Sequence, residues 1–172
     1  MRKHLFQGMI NAPLTEAAPA ADDAATAELV RAVERAARRR LGRSLSIRAV
    51  DAGSCNGCEL EIHALNNAFY DIERFGLRFV ASPRHADVLL VTGPLTRNMR
   101  VALERTYRAT PNPKWVVAVG DCAANGGVFA GSAACVAGGI GAAVPVDLHI
   151  RGCPPRPTDL LKGLLALLDA QA

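Results

Sequence analysis

The chain has 172 residues, half of them apolar and 21% charged, with a mean hydropathy of +0.13. That suits one globular domain with a single real core and leaves no room for two large ones. The net charge of +4 is uneven: residues 1–50 hold nine bases and five acids, while the remainder balances eleven against eleven. The body of the chain is therefore neutral, which argues against a nucleic-acid binder with a basic folded surface.

The start, MRKHLFQGMINAPLTE, has a charged head without a sustained apolar segment or a twin arginine, so no secretory signal is expected. No apolar run reaches membrane-spanning length; Val136 to Val146 is the nearest, and Gly and Pro interrupt it. Residues 11–25 are rich in Pro, Ala and Asp and read as a flexible lead-in. Leu29 to Leu41 has the apolar spacing of an amphipathic helix, with Leu29, Val33, Ala36, Ala37 and Leu41 on one face, and Gly42 ends it. Its arginines read either as a solvated face or as a surface for a partner or an anionic membrane.

From Leu45 the pattern alternates. LSIRAV predicts a strand, followed by a cysteine loop and a helix from Glu59 to about Arg74. LRFVAS and the continuously apolar ADVLLVTG predict two more strands. Thr96 to Arg108 predicts a helix, Lys114 to Val119 and Val144 to Ile150 the last strands, and Thr158 to Ala170 a closing helix. Strands alternating with helices imply βαβ units, an α/β fold with an open parallel sheet and helices on both faces. The expected division is a flexible leader and basic helix over 1–44 and one cysteine-bearing domain over 45–172.

Cys55 and Cys58 follow the first strand, Cys122 follows KWVVAV, and Cys153 follows VPVDLHI. Three loops thus carry four cysteines, each leaving the carboxyl end of a strand, the edge where doubly wound sheets assemble sites. Five cysteines in a chain without a signal point to a reducing compartment and to thiolates used as ligands. Four converging thiolates suit an iron–sulfur cube, and the surrounding glycines let backbone amides approach its sulfides. Zinc and a Cys55–Cys58 redox dithiol remain open on the residues alone, although zinc ribbons usually pair two CxxC knuckles. Cys135 reads as a buried small hydrophobe. His4, His63, His85 and His149 lack ligand spacing. The glycine runs lack a GxGxxG frame, and no Ser/His/Asp set or carboxylate pair suggests hydrolysis.

AGSCNGCELE, SPRHADVLLVTG, GDCAANGGVF and VPVDLHIRGCPPRP, in this order over roughly residues 45–168, resemble one superfamily. It contains the small subunits of nickel–iron hydrogenases and the 20 kDa subunit of respiratory NADH–quinone oxidoreductase, complex I. The complex I protein has two adjacent cysteines in the first motif. Here Asn56 and Gly57 separate them, as in hydrogenases. Without the further two-cluster domain and export signal of uptake hydrogenases, the chain is most similar to the small subunit of membrane-bound, energy-converting hydrogenases of the formate hydrogenlyase type. ACVAGG over residues 134–139 resembles the YCVWGG-like sequence of that group, so Cys135 reads as a mark of the subgroup and not as a ligand.

The resemblance implies a flavodoxin-like domain holding one 4Fe–4S cluster through Cys55, Cys58, Cys122 and Cys153. Implied partners are a large subunit, nickel–iron or of the complex I 49 kDa type, a ferredoxin-like iron–sulfur subunit and membrane-arm subunits. The complex would lie peripherally on the cytoplasmic face of the cell membrane, with catalysis on a partner chain. Quinone reduction as a complex I-like 20 kDa subunit of an NADH–quinone oxidoreductase is the alternative. Glu59 matches a glutamate that faces the large subunit in hydrogenases, with helix capping as its simpler role. Arg84 matches an arginine near the cluster in the complex I protein, with a plain surface residue as the alternative.

Overall fold

The structure is a computed structural model that describes residues 23–170. Its five strands are β1 (Ser46–Asp51), β2 (Arg78–Phe79), β3 (Val88–Thr92), β4 (Trp115–Val119) and β5 (Leu148–Ile150). They form one sheet in the order β2-β1-β3-β4-β5, with every neighbouring pair parallel. This is the flavodoxin-like winding expected from the sequence. The helices are α1 (Asp23–Leu41), α2 (Gly57–Ala64), α3 (Arg97–Ala109), α4 (Asp121–Asn125) and α5 (Pro157–Ala170).

β3 and β4 are buried at every residue, as parallel strands covered on both faces must be. Successive side chains alternate between two cores. Ile47, Val88, Leu90, Val117 and Val119 meet residues of α1, α2 and α5, among them Val33, Ile62 and Leu164. Val50, Leu89, Val91, Val116 and Ala118 face the other way, towards Leu103 of α3 and Ala123 of α4. Helices therefore cover both faces of the sheet.

The lead-in expected over 11–25 falls outside the described residues except for 23–25, which are helical. α1 thus starts six residues earlier than the apolar spacing indicates. Val30, Val33, Ala36 and Ala37 are buried against α5 in the same core as the sheet.

The largest departure is α2, expected to reach about Arg74 and ending at Ala64. Asn67 explains the stop. Its Oδ1 accepts hydrogen bonds from the Phe69 and Tyr70 amides at 2.9 and 3.0 Å, an Asx turn that competes with further helix. A 3-10 turn, Ile72–Phe75, follows. β2 and β5 are shorter than expected, and the five-residue α4 has no periodic signal of its own.

Candidate metal centre

Because all five strands run parallel, their carboxyl ends lie along one edge, and the strand order reverses between β1 and β3. A crevice opens at such a switch point. Here it is a cavity of about 80 Å³ lined by Cys55, Cys58, Cys122 and Cys153, with Gly93 and Pro94 from the end of β3 and with Asp121. The three cysteine loops, separated by up to 98 residues in sequence, meet in one place. A water molecule occupies about 30 Å³ of liquid, so the space admits a small inorganic group.

Local hydrogen bonds hold each loop. Asp51 Oδ1 accepts from the Gly53 and Ser54 amides, both at 2.7 Å. Asn56 turns left-handed at φ 72° to start α2. The Thr96 amide and hydroxyl both donate to the Ala52 carbonyl at 2.9 Å, tying the start of α3 to the Cys55 loop. The Cys122 and Cys153 loops are joined directly: the Asp121 amide donates to the Gly152 carbonyl at 2.9 Å, and the Gly152 amide donates to Asp121 Oδ1 at 3.4 Å. Arg151 Nη1 lies 3.6 Å from the same carboxylate oxygen.

Two glycines make room for the sulfurs. At Gly120 (φ 86°) a Cβ would stand 2.7 Å from Cys58 Sγ. At Gly127 (φ 49°) it would stand 2.8 Å from Cys122 Sγ. Both positions also favour glycine by backbone conformation.

Cys58 and Cys122 are buried, while Cys55 and Cys153 are exposed at the rim. Desolvation, then the Glu59 carboxylate and the other cysteines, push the Cys58 thiol up from its ordinary 9.0 to about 12. Burial also raises Cys122, against a backbone hydrogen bond from Val128 that lowers it. Such thiols become thiolates when a metal supplies the compensating charge. The donor set fits a thiophilic group: four soft sulfurs, no histidine and one flanking carboxylate. No three His, Cys, Asp or Glu among the described residues are drawn close enough to hold a single ion. A cube would instead engage each thiolate through a different iron.

The remaining sequence candidates fall around this cavity or away from it. Glu59 lies in the first turn of α2 with both carboxylate oxygens buried and no hydrogen-bond partner among the described residues. Arg84 is exposed on the 3-10 turn Pro83–His85, which leads into the start of β3, and it does not line the cavity. Cys135 is half-buried rather than buried, pairs its backbone with Thr96, and does not line the cavity. His63, His85 and His149 are exposed and away from it; His4 lies outside the described residues. Sequence reasoning missed Gly93, Pro94 and Asp121. The rule that sites form at carboxyl ends of strands, applied to β3 as well, finds the first two.

Residues 55–167 match the family described as the NADH ubiquinone oxidoreductase 20 kDa subunit. The chain is 46% identical over 132 residues to a probable membrane-bound hydrogenase subunit, mbhJ, of Pyrococcus furiosus, covering 77% of this chain and 78% of that one. It is 45% identical over 130 residues to formate hydrogenlyase subunit 7 of Escherichia coli, covering 76% of this chain and 51% of the relative, about half its length. It is 48% identical over 112 residues to the NADH-quinone oxidoreductase B-subunit of Citrifermentans bemidjiense, covering 65% of each. A chain in the solved structure of the membrane-bound sulfane sulfur reductase, an archaeal respiratory membrane complex, superposes with a TM-score of 0.65 at 36% identity, covering 77% of this chain and 71% of that one. The chain belongs to the NADH ubiquinone oxidoreductase 20 kDa subunit family, whose members are subunits of oxidoreductase complexes, hydrogenases among them.

Proposed function

We propose that this chain is the electron-transfer small subunit of a membrane-associated, energy-converting nickel–iron hydrogenase, and that Cys55, Cys58, Cys122 and Cys153 hold one 4Fe–4S cluster. The observation that carries this reading is the convergence of four cysteines from three strand-end loops on one cavity. When bound, the cluster supplies one-electron transfer between a large subunit that carries the active site and a ferredoxin-like subunit. The chain's own part is to hold four thiolates, keep the inner pair dry, and seat its partners.

Exposed apolar side chains lie on the same loops: Leu60 on α2, and Val128 and Phe129 beyond Cys122. They give the cavity's surroundings an apolar character that suits a permanently bound large subunit. Among the described residues no helix is long and apolar enough to cross a membrane. Attachment to the cytoplasmic face of the membrane would therefore run through membrane-arm subunits. The alternative, a complex I-like 20 kDa subunit whose cluster reduces quinone, is favoured by the match to the NADH-quinone oxidoreductase relative. The spacing of Cys55 and Cys58 by Asn56 and Gly57 favours hydrogen, because it resembles the hydrogenase form of the motif, whereas the complex I form has its two cysteines adjacent.

The test is anaerobic purification of the complex, with iron, sulfide and nickel assays and hydrogen–deuterium exchange of H₂. About four irons on this chain, with nickel on the large subunit and H₂ exchange, is the expected result. Iron without nickel or exchange would move the reading to quinone reduction. Stoichiometric zinc without iron would overturn both.

A further inference from the structure

The most basic stretch of the described chain is α1 and the turn after it, yet the structure leaves those arginines engaged. Arg35 pairs with Glu28 at 2.8 Å, Arg38 with Glu34 at 3.0 Å and Arg39 with Asp169 at 3.3 Å. Arg31 and Arg40 stack over Phe75 and Trp115, 6.0 and 5.7 Å from the ring centroids. Arg43 is bound to the buried carboxylate of Asp87. The helix that looks made for an outside partner has spent its charge internally.

α3 is the opposite case. Arg97, Arg100, Arg105 and Arg108 fall at spacings that place them along one side of the helix. All four are exposed, as is Val101 in their midst, while Leu103 on the other side is the helix's one buried residue. Among the described residues only Arg100 of the four has an ion pair, with Glu104 at 3.0 Å. Arg97, Arg105 and Arg108 have no carboxylate partner among the described residues. Arg84 and His85, on the 3-10 turn packed against α3, add further basic groups. Residues 80–119 hold six Lys and Arg against two acids, one of which is the buried, already paired Asp87. A domain that is neutral as a whole thus concentrates uncompensated positive charge on one helix.

The position of that helix matters as much as its charge. Gly93 and Pro94 line the cysteine cavity, and α3 starts three residues beyond Pro94. Thr96 is bonded to the Cys55 loop, and the Arg97 amide donates to the Ala134 carbonyl at 2.9 Å. The arginine stripe therefore begins beside the four thiols and runs about 16 Å away along the helix. The apolar groups Leu60, Val128 and Phe129 belong to the Cys58 and Cys122 loops instead. An apolar patch suits a permanent subunit, and a charged stripe with an exposed Val101 suits a polar, salt-sensitive contact.

We propose that the α3 face, with Arg97, Arg100, Arg105 and Arg108 around Val101, is the docking surface for an acidic electron-carrier protein of the ferredoxin class. The proposal rests on the electron-transfer reading given above. It assigns that partner a face, and it requires the partner to carry carboxylates opposite the stripe.

The test uses the full chain with its cluster reconstituted anaerobically and its iron content measured on the same sample. The probe is an acidic 2[4Fe–4S] ferredoxin, and binding is read by calorimetry at low and at raised salt. Binding is expected at low salt, weakened at least about tenfold by added salt and by the combined Arg97→Glu, Arg105→Glu and Arg108→Glu exchange. Arg35→Glu with Arg38→Glu on α1 should leave it within about twofold. Circular dichroism checks the fold of the triple variant, and the single Arg105→Gln, with a smaller loss and a shallower salt dependence, replaces it if it misfolds. An iron-loaded chain that does not bind, or that loses binding equally from the α1 and α3 exchanges, overturns the docking surface. So does an α3 exchange that abolishes binding to phosphatidylglycerol vesicles and spares the ferredoxin. A chain that takes up no iron fails the electron-transfer reading instead.

Discussion

Cys122 and Cys135 are the same side chain thirteen positions apart in two different settings. Cys122 follows β4 directly and lines the cavity, whereas Cys135 sits half-buried in the long loop with its backbone bridged to Thr96. Cys122→Ser and Cys153→Ser are expected to abolish the cluster, read as iron per chain and visible absorbance, while Cys135→Ser keeps it. Equal loss from all three would refute the ligand set. Gly120→Ala is expected to reduce iron content as well, because its Cβ would press within 2.7 Å of Cys58 Sγ at a backbone angle that side chains avoid; normal iron loading would show that the sulfur has room to move. The four cysteines were legible in the sequence because each follows a strand and two share a CxxC. Asp121, which joins two loops through Gly152, has no such signature. The burial of the Glu59 carboxylate was also illegible, since it depends on packing from other parts of the chain.

At the scale of elements, the order of strands and helices and the extents of β1, β4, α3 and α5 could be read from periodicity, while the lengths of α2, β2 and β5 could not. α2 runs on in the apolar pattern past the point where the Asn67 side chain captures two backbone amides, a local competition that periodicity does not register. β2 keeps two ladder residues of the six, Leu77 to Ser82, expected as a strand. α3 has a different character, anchored by one fully buried side chain, Leu103. Leu103→Ala is expected to destabilise the domain by about 2–5 kcal/mol, as large-to-small changes in packed cores do. Val101→Ala, on the exposed stripe, should change stability by no more than about 0.5 kcal/mol. Urea unfolding of the two variants separates them. Similar losses would mean that the stripe is packed and unavailable for docking.

Across the whole molecule the parallel sheet is what turns scattered cysteines into one site, and it does so by burying two thiols before any metal arrives. That burial has a consequence for stability. In the cluster-free chain the native Cys58 thiol holds its proton up to about pH 12, against an ordinary value of 9.0. The unfolded chain releases that proton near its ordinary value. Between the two, deprotonation favours the unfolded state, so the contribution is whole below about pH 9 and is lost as pH rises towards about 12. Tyr70, raised by desolvation and then by Glu61, acts in the same direction, so the cluster-free chain must be compared with a variant that retains it. Cys58→Ser replaces a titrating group by one that does not titrate. Denaturation of the two chains at intervals from pH 8 upwards is expected to give stability curves that run parallel below pH 9 and change slope relative to one another above it, the unsubstituted chain losing stability faster. Metal binding must displace the same proton, so cluster reconstitution should proceed further at pH 9 than at pH 7. Parallel curves for the two chains throughout would mean that Cys58 is not held as a dry, neutral thiol, and that the cavity is open to water before it is filled.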